Sequence, residues 1–426
     1  MKYTKEHAGL QSVFRQLDNP SLSWYFDCYM TTDQRKKIIL KKNEERRILR
    51  GHQWIFSNEI HSVAGEPASG ESVDILRCDG KRLGSGFYNP HSLIAVRVLS
   101  YDVEAIDFSF FEKRIKSAHA LRSKLFPDSS TYRLVHGESD FLPGLIIDRY
   151  NDYFSIQTLS TGMDRMLTLI CDVLESLFSP KGIVERNESA LRNLEQLPLK
   201  SGILRGTVDP TVIDLNGIKF SVDILSGQKT GFFLDQRINR TMIQPFAKDM
   251  RVLDCFSNEG GFALYAAAAG AKSVTGVDSS EYAIAKCKSN AELNRVPGFS
   301  GTEFICSDVF KLLDETIAGD TRYDLVIVDP PAFAKNKKTI MTALKGYKEL
   351  NTKAMMVLEP GGILATASCS HHVTEEAFIE MIDDSARKAG RKVRILTFQG
   401  ASPDHPVLPS MPETKYLKFA IVSCEV

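Results

Sequence analysis

The chain has 426 residues, of which 43% are hydrophobic and 25% charged, and its 53 Lys and Arg balance 53 Asp and Glu. This composition is typical of a globular protein of two or three domains rather than of a disordered or membrane protein. A net charge of zero excludes a global field that draws the protein onto nucleic acid. No apolar run approaches the ~20 residues of a membrane helix, so we expect a cytoplasmic protein without a membrane segment.

Eight cysteines are spread along the chain without a C-x-x-C pair and without a Cys/His cluster at zinc-ligand spacing. We interpret them as reduced thiols, most of them small core residues, and expect no metal site.

The first 34 residues predict an irregular extension, and Met30 is an alternative start. The segment from Arg35 to Arg50 contains eight basic residues and two acidic ones. This run fits a solvated face or a phosphate-binding patch, and the sequence leaves both open. Short β-type runs alternating with Gly and Pro turns then predict a small β-barrel domain over residues 35–104.

Residues 105–129 form a predicted linker that contains an amphipathic helix up to residue 125, with Phe111, Ile115 and Ala118 on its apolar face. A second α+β domain is predicted over 130–225. Its paired strands lie in residues 132–148 and 153–159, and a helix follows at about 164–178.

From residue 226 to 426 the pattern alternates strand and helix, which is typical of a doubly wound α/β sheet of the Rossmann-like kind. Strands are predicted near 251–255, 272–277, 302–306, 323–328, 362–367, 393–398 and 416–423, and helices at 261–269, 281–294, 343–358 and 374–389.

Acidic residues close three successive predicted strands and predict a donor site. Asp254 ends the first, Asp278 follows it by 24 residues and suits ribose hydroxyls, and Asp308 is placed to reach an adenine amino group. Phe256 and Gly260 belong to the turn between the first strand and its helix. The predicted ligand is therefore an adenosine.

A dinucleotide is the alternative ligand, but its fingerprint needs G-x-G-x-x-G, which this turn lacks. Glu259 in the turn would repel a diphosphate, whereas it favours a positively charged sulfonium. We therefore predict S-adenosylmethionine as cofactor rather than a nucleotide; a βα turn without ligand is the weaker alternative.

Asp329-Pro330-Pro331 follows the fourth predicted strand and indicates a rigid clamp for the polar edge of a flipped-out base. Phe333 and Lys335 come next and are the further candidates for substrate contacts. A simple strand-ending turn stays an alternative.

Two chemistries use such a clamp. Methylation of an exocyclic amine favours an aromatic residue directly after the prolines, where this chain has Ala332. Methylation at pyrimidine C5 needs a thiolate that adds at C6, and Cys369, after the fifth predicted strand, is the candidate nucleophile. Cys255 is the other candidate thiol, and an inert buried cysteine is the non-catalytic interpretation of Cys369.

From about Met30 onward the chain resembles the RlmI-type family, ribosomal RNA large subunit methyltransferase I, which makes 5-methylcytidine in 23S rRNA. The resemblance rests on the donor and clamp segments and on segments beginning at Arg50, His136, Gln228, Ser368 and Asp404. It implies an RNA-binding domain of PUA type at the N-terminus, 23S rRNA as partner, and Cys369 as nucleophile.

The resemblance also implies that Lys229, Phe232, Asp235 and Arg237 line the donor pocket. Many RNA cytosine-C5 enzymes carry a second cysteine just after the clamp proline, where this chain has Pro331 and Ala332, so the base that removes the C5 proton stays unassigned. An RNA N-methyltransferase without covalent catalysis and an RNA-binding assembly factor remain the alternatives, and a homodimer stays open.

Overall fold

The computed structural model describes residues 36–225, 227, 230–294, 301–334 and 337–426 of the chain. Predictions made for Lys229, Lys335, Arg35 and the extension before it lie outside these residues. The described chain folds into two compact units.

The described helices are numbered in chain order: α1 (Arg46–Leu49), α2 (Phe108–Leu125), α3 (Thr161–Arg165), α4 (Leu167–Phe178), α5 (Arg237–Met242), α6 (Gly261–Ala268), α7 (Glu281–Asn294), α8 (Val309–Ala318), α9 (Ile340–Met356) and α10 (Glu375–Ala389). In the part of the chain that the structure describes, every helix is too short or too polar to span a bilayer.

The first unit takes in the described residues up to Arg114, together with Ser160–Leu177 and Asn193–Leu197. Its described strands form one sheet in the order β2-β6-β5-β4-β1-β3. Their apolar side chains, such as Ile38, Ile75 and Val96, enclose one core. The strand bounds are β1 (Lys37–Leu40), β2 (Trp54–Phe56), β3 (Ile60–Ala64), β4 (Glu71–Leu76), β5 (Arg82–Tyr88) and β6 (Ile94–Ser100).

The second unit begins with a small sheet in the order β11-β10-β9-β8-β7, followed by a β12–β13 hairpin. The predicted strand at 132–148 is divided by a short 3-10 turn at Gly137–Asp140, and the two halves pair with each other. The strand bounds are β7 (Thr131–His136), β8 (Leu145–Tyr150), β9 (Tyr153–Thr158), β10 (Gly182–Asn187), β11 (Lys200–Gly206), β12 (Thr211–Leu215) and β13 (Ile218–Val222).

The rest of the second unit is the predicted doubly wound sheet. Across the described residues its order is β16-β15-β14-β17-β18-β20-β19, in which β14 to β18 are parallel and β20 is antiparallel to both its neighbours. The bounds are β14 (Arg251–Cys255), β15 (Ser273–Asp278), β16 (Thr302–Cys306), β17 (Tyr323–Val328), β18 (Leu358–Ser368), β19 (Lys392–Gln399) and β20 (Lys418–Glu425).

Both faces of this sheet are covered, which explains why its central strands read as continuous apolar runs. Successive side chains of β14 show this, because Val252 and Leu253 belong to two different core clusters. The strand order reverses between β14 and β17, so the sheet has its switch point there.

Capping side chains and a left-handed glycine set the ends of some of these helices. The Thr374 hydroxyl accepts a hydrogen bond from the Ala377 N–H at the start of α10, and Gly390 ends that helix with a φ of 67°. Helix α7 has the predicted bounds. Helix α8 lies between two predicted strands, where the sequence predicted no helix bounds, and Asp308 caps it by accepting a hydrogen bond from the Lys311 N–H at 2.9 Å.

Candidate functional site at the sheet switch point

The two predicted half-sites meet where the strand order reverses. Cys255 at the end of β14 pairs in register with Val328 at the end of β17. Asp254 therefore belongs to one of these adjacent strands, and Asp329 directly follows the other. Ligands of doubly wound sheets bind beyond the carboxyl ends of the strands at this point, so these residues frame the candidate site.

The turn from β14 into α6 is held in an uncommon backbone conformation. Phe256, Asn258 and Gly260 have φ values of 64°, 51° and 84°. A left-handed residue other than glycine costs roughly 1–2 kcal/mol, so the surrounding contacts must hold this turn in place. The Asn258 N–H donates to an Asp278 carboxylate oxygen at 3.0 Å, which ties the turn to the end of β15.

Buried carboxylates line the same turn. Asp254 is 1% exposed, and one of its oxygens accepts a hydrogen bond from the Ala263 N–H at 2.9 Å. Within the described residues its other oxygen, Oδ1, has no hydrogen-bond partner, and neither does Oε2 of the buried Glu259. Burial raises the pKa of Asp254 to about 7, with the Asp329 carboxylate acting in the same direction, and burial raises the pKa of Glu259 to about 7.

Two buried carboxylate oxygens without partners fit a ligand that brings positive charge and N–H donors. S-adenosylmethionine carries both, a sulfonium and an ammonium. A dinucleotide would bring a diphosphate against Asp254 and Glu259, and like charges in a buried site are strongly unfavourable. The described turn therefore fits the predicted donor.

The other predicted donor residues have varied surroundings. The centroids of the Phe232 and Phe220 rings lie 4.8 Å apart. The backbone N–H of Phe232 donates a hydrogen bond to the Tyr150 hydroxyl at 2.9 Å. Asp235 accepts a hydrogen bond from the Tyr416 hydroxyl at 2.6 Å. Phe232 and Asp235 are thus both held by contacts within the protein.

Arg237 and Asp308 are placed differently. The Arg237 guanidinium donates to Asn216 at 2.7 Å and to the Thr131 carbonyl at 3.0 Å, and it lies 4.0 Å from the Phe126 ring centroid. These contacts fasten α5 to β7 and do not bring Arg237 together with the donor turn. Asp308 is exposed and caps α8.

The candidate nucleophile lies beside the clamp. Cys369 directly follows β18, which pairs with β17, and its thiol faces the Pro330 carbonyl at 3.9 Å. Cys369 is partly exposed rather than sealed in the core. The next residue, Ser370, accepts a hydrogen bond from the Ala334 N–H at 3.2 Å, so the clamp and the cysteine segment are joined twice.

The clamp itself has one buried and one exposed proline, Pro330 and Pro331. Phe333 packs against Tyr347 of α9, with ring centroids 4.6 Å apart, and a Cβ on Gly346 would lie 3.3 Å from its ring. The Phe333 ring is therefore used inside the protein to hold the segment after the prolines.

Lys418, which the sequence reasoning missed, extends into this region from β20. It is 3% exposed, pairs in register with Ser368, and donates from Nζ to the carbonyls of Ser370 and Tyr416, each at 2.7 Å. Burial lowers the pKa of Lys418 to about 8, while the Cys369 thiolate acts to raise it. A lysine inside the apolar run of the last strand was the signal that could have identified it.

Most of the other described cysteines are buried. Cys255 is fully buried in β14, and burial raises the pKa of its thiol far above the usual value. Cys171, Cys287 and Cys424 are buried too, and the exposed Cys78 lies in the first unit. Among the described residues no group of three or more His, Cys, Asp or Glu could hold a metal ion.

A buried ionic cluster connects two segments on which the family resemblance rests. The Arg122 guanidinium binds both carboxylate oxygens of Asp140, at 2.5 and 2.7 Å, and the Asp404 carbonyl at 2.7 Å. The Asp404 carboxylate accepts from the Arg133 N–H at 2.9 Å and pairs with the His405 ring at 3.0 Å. These segments thus hold β7 against the chain that leads into β20.

Comparisons with known proteins agree with this architecture. A family model described as a PUA-like domain matches residues 38–101, and one described as an S-adenosylmethionine-dependent methyltransferase matches residues 200–418. The ribosomal RNA large subunit methyltransferase I of Tolumonas auensis is 43% identical over 391 residues, which cover 90% of this chain and 98% of that protein. The protein of the same name from Klebsiella pneumoniae is 40% identical over 394 residues, with coverages of 91% and 98%.

Solved structures show the same fold. A Streptococcus mutans protein assigned as a SAM-dependent methyltransferase superposes with a TM-score of 0.77 at 22% identity, covering 91% of this chain and 99% of that chain. A second solved chain, assigned as a methyltransferase and complexed with SAH, has a TM-score of 0.79 at 22% identity, with the same coverages.

Proposed function

The chain belongs to the ribosomal RNA large subunit methyltransferase I family, and from this premise we propose that it forms 5-methylcytidine in 23S rRNA with S-adenosylmethionine as donor. The observation that carries the proposal is the position of Cys369. Its partly exposed thiol follows β18, directly beside the clamp that follows β17 and across the switch point from Asp254.

Carbon 5 of cytosine is a weak nucleophile until a thiolate adds at carbon 6. In the proposed reaction the Cys369 sulfur forms a bond to C6, and C5 then takes the methyl group, while the donor sulfur keeps the electron pair of the broken S–C bond. A base accepts the C5 proton, the C5–C6 double bond re-forms, and the bond from C6 to Cys369 breaks. When bound, the donor supplies an electrophilic methyl group on a sulfonium sulfur.

Asp329 is positioned to steady the base. It follows the buried end of β17, and the two prolines after it fix the backbone. A carboxylate that accepts from the cytosine N4 amine, or a protonated one that donates to N3, would hold C6 towards Cys369. The residue that accepts the C5 proton is not assigned.

Lys418 supports the thiolate form of Cys369 in this scheme. Its buried ammonium is anchored to the carbonyl of Ser370, the residue after the nucleophile. With a pKa of about 8, Lys418 is mostly protonated at neutral pH, and the neighbouring Glu375 and Lys415 shift that pKa up and down respectively. A cation beside a thiol favours its ionised form, which is the reactive one.

The test is the identity of the methylated nucleoside. A 23S rRNA transcript is incubated with the protein and S-adenosylmethionine, digested and analysed by mass spectrometry. We expect 5-methylcytidine, with turnover abolished by Cys369→Ala and kept by Cys306→Ala, a matched change at an exposed thiol. N4-methylcytidine, or full activity of Cys369→Ala, would favour the N-methyltransferase, and RNA binding without donor binding would favour an assembly factor.

A further inference from the structure

A buried cation lies beside the donor turn. Arg240 of α5 is 5% exposed, and its guanidinium lies 4.7 Å from the centroid of the Phe232 ring. A Cβ on Gly261, the first residue of α6, would lie only 2.6 Å from the Arg240 Nε. The guanidinium therefore lies directly against the start of the helix that follows the donor turn.

This guanidinium has unused donors. Within the described chain, Nε–H and Nη1–H of Arg240 have no hydrogen-bond partner. Burial lowers the pKa of Arg240, while the carboxylates of Asp235, Asp329 and Asp254 act to raise it. A buried cation with unsatisfied N–H groups is strongly unfavourable, so its surroundings imply an anionic partner that completes the site.

The ligand that pairs with Arg240 must also provide a donor for the buried Asp254 carboxylate nearby. Asp254 Oδ1 is buried and without a hydrogen-bond partner among the described residues, on the strand that leads into this turn. A single ligand that offers a carboxylate to Arg240 and an N–H cation to Asp254 satisfies both groups. An α-amino acid zwitterion has this chemistry.

We propose that Arg240 binds the α-carboxylate of the donor's methionine end, that Asp254 binds its α-ammonium, and that the pair selects donors and products with an intact amino acid group. The inference rests on the family's donor and is independent of the chemistry proposed for the base. A Cβ at Gly261 would lie 2.6 Å from the Arg240 Nε, so a side chain there would force the guanidinium to move. The N-terminal N–H groups of α6 add positive charge beside the carboxylate.

The test compares two ligands that differ in the amino acid group. S-adenosylhomocysteine carries it, and 5′-methylthioadenosine has the same adenosine and thioether without it. Calorimetry on the full chain should show that Arg240→Met weakens S-adenosylhomocysteine by about 100-fold or more, the usual effect of removing one partner of a buried charged hydrogen bond. Binding of 5′-methylthioadenosine should change by less than about threefold, which is roughly 0.6 kcal/mol.

Matched variants separate binding from folding. Arg251→Met makes the same change at the other end of β14, on a more exposed arginine, and should leave both affinities unchanged. Arg240→Lys keeps the charge but loses the planar fork, so an intermediate loss confined to S-adenosylhomocysteine is expected. The ligand-free Arg240→Met protein should unfold at the wild-type temperature or above, because a buried unpaired cation is removed.

An equal loss for both ligands would mean that Arg240 only shapes the pocket, and an unchanged affinity for S-adenosylhomocysteine would mean that it does not touch the ligand. Either result overturns the proposal. So does a large fall in the unfolding temperature of the ligand-free variant, since it would show that Arg240 is already paired within the protein.

Discussion

Asp254→Asn should remove most of the pH dependence of ligand binding at the donor site. Burial raises the pKa of Asp254 from 3.8 to about 7, a shift of about 3 units, or roughly 4 kcal/mol between its two protonation states. The ligand-free carboxyl therefore carries a proton up to about neutral pH. An ammonium binds the ionised form, so ligand binding releases a proton and affinity rises with pH. For one such group the affinity increases about tenfold for each pH unit below about 6 and levels off above about 7.

The assay is calorimetry with S-adenosylhomocysteine between about pH 5 and pH 7.5, in buffers of different ionisation enthalpy that count the released protons. Asp254→Asn should bind weakly and lose the slope that belongs to Asp254, leaving only the pH dependence that Glu259 contributes, whereas the matched Glu259→Gln should keep the slope that belongs to Asp254. The raised pKa of Asp254 also makes folding stability depend on pH. Its contribution to the free energy of unfolding is fully present below the unfolded pKa and is lost as the pH rises through about 7. Affinity that is independent of pH in the wild type, or a variant that keeps the full slope, would refute this reasoning.

Three further results are expected. Lys418→Met should slow alkylation of Cys369 by iodoacetamide near neutral pH and move the midpoint of its pH profile upward, because the neighbouring cation is lost. Gly261→Ala should weaken S-adenosylhomocysteine by about tenfold or more, since overpacking typically costs about 1–3 kcal/mol and here displaces a ligand-facing guanidinium. Asp140→Asn should lower the free energy of unfolding in urea by about 3–5 kcal/mol, because the buried Arg122 loses its carboxylate.

Each of these has its own control. Lys415→Met removes a more exposed cation from the same region and should leave the alkylation profile almost unchanged. In Gly319→Ala the new Cβ meets ordinary contacts at 3.6 Å, so affinity should be kept. Asp383→Asn breaks an exposed helical ion pair and should alter stability by less than about 0.5 kcal/mol. Results in which control and variant behave alike would contradict the roles given to these residues.

The large sheet was predictable from the sequence because its strands are buried on both faces. Residues 325–328 of β17, Leu-Val-Ile-Val, are all apolar and are followed directly by Asp329 and Pro330, so the end of this strand is sharply marked. Strand β11 was not predicted, since it is largely exposed and shows no apolar period. Helix α8 was given no bounds because Asp308, which marks its start as the N-cap, was interpreted as a ligand contact.

The site could be predicted only in part. The order of acidic strand ends placed Asp254, Asp278 and Asp329, because carboxyl ends of parallel strands meet at one edge. Arg240 and Lys418 could not be placed the same way. One depends on a short helix folding back against α6, and the other on the register of an antiparallel strand 48 residues after Ser370. Single arginine and lysine residues carry no local pattern that reveals such partners.

The covalent step is tested most directly with RNA in which the target cytidine is replaced by 5-fluorocytidine. Fluorine at C5 cannot leave as a proton, so an adduct formed through C6 stays attached after methyl transfer. We expect a denaturation-resistant protein–RNA complex that requires S-adenosylmethionine, with peptide mass spectrometry locating the crosslink at Cys369 and Cys369→Ala abolishing it. Methyl transfer to ordinary RNA with no complex on the fluorinated RNA, or a crosslink at another cysteine, would contradict the assignment of Cys369 as nucleophile.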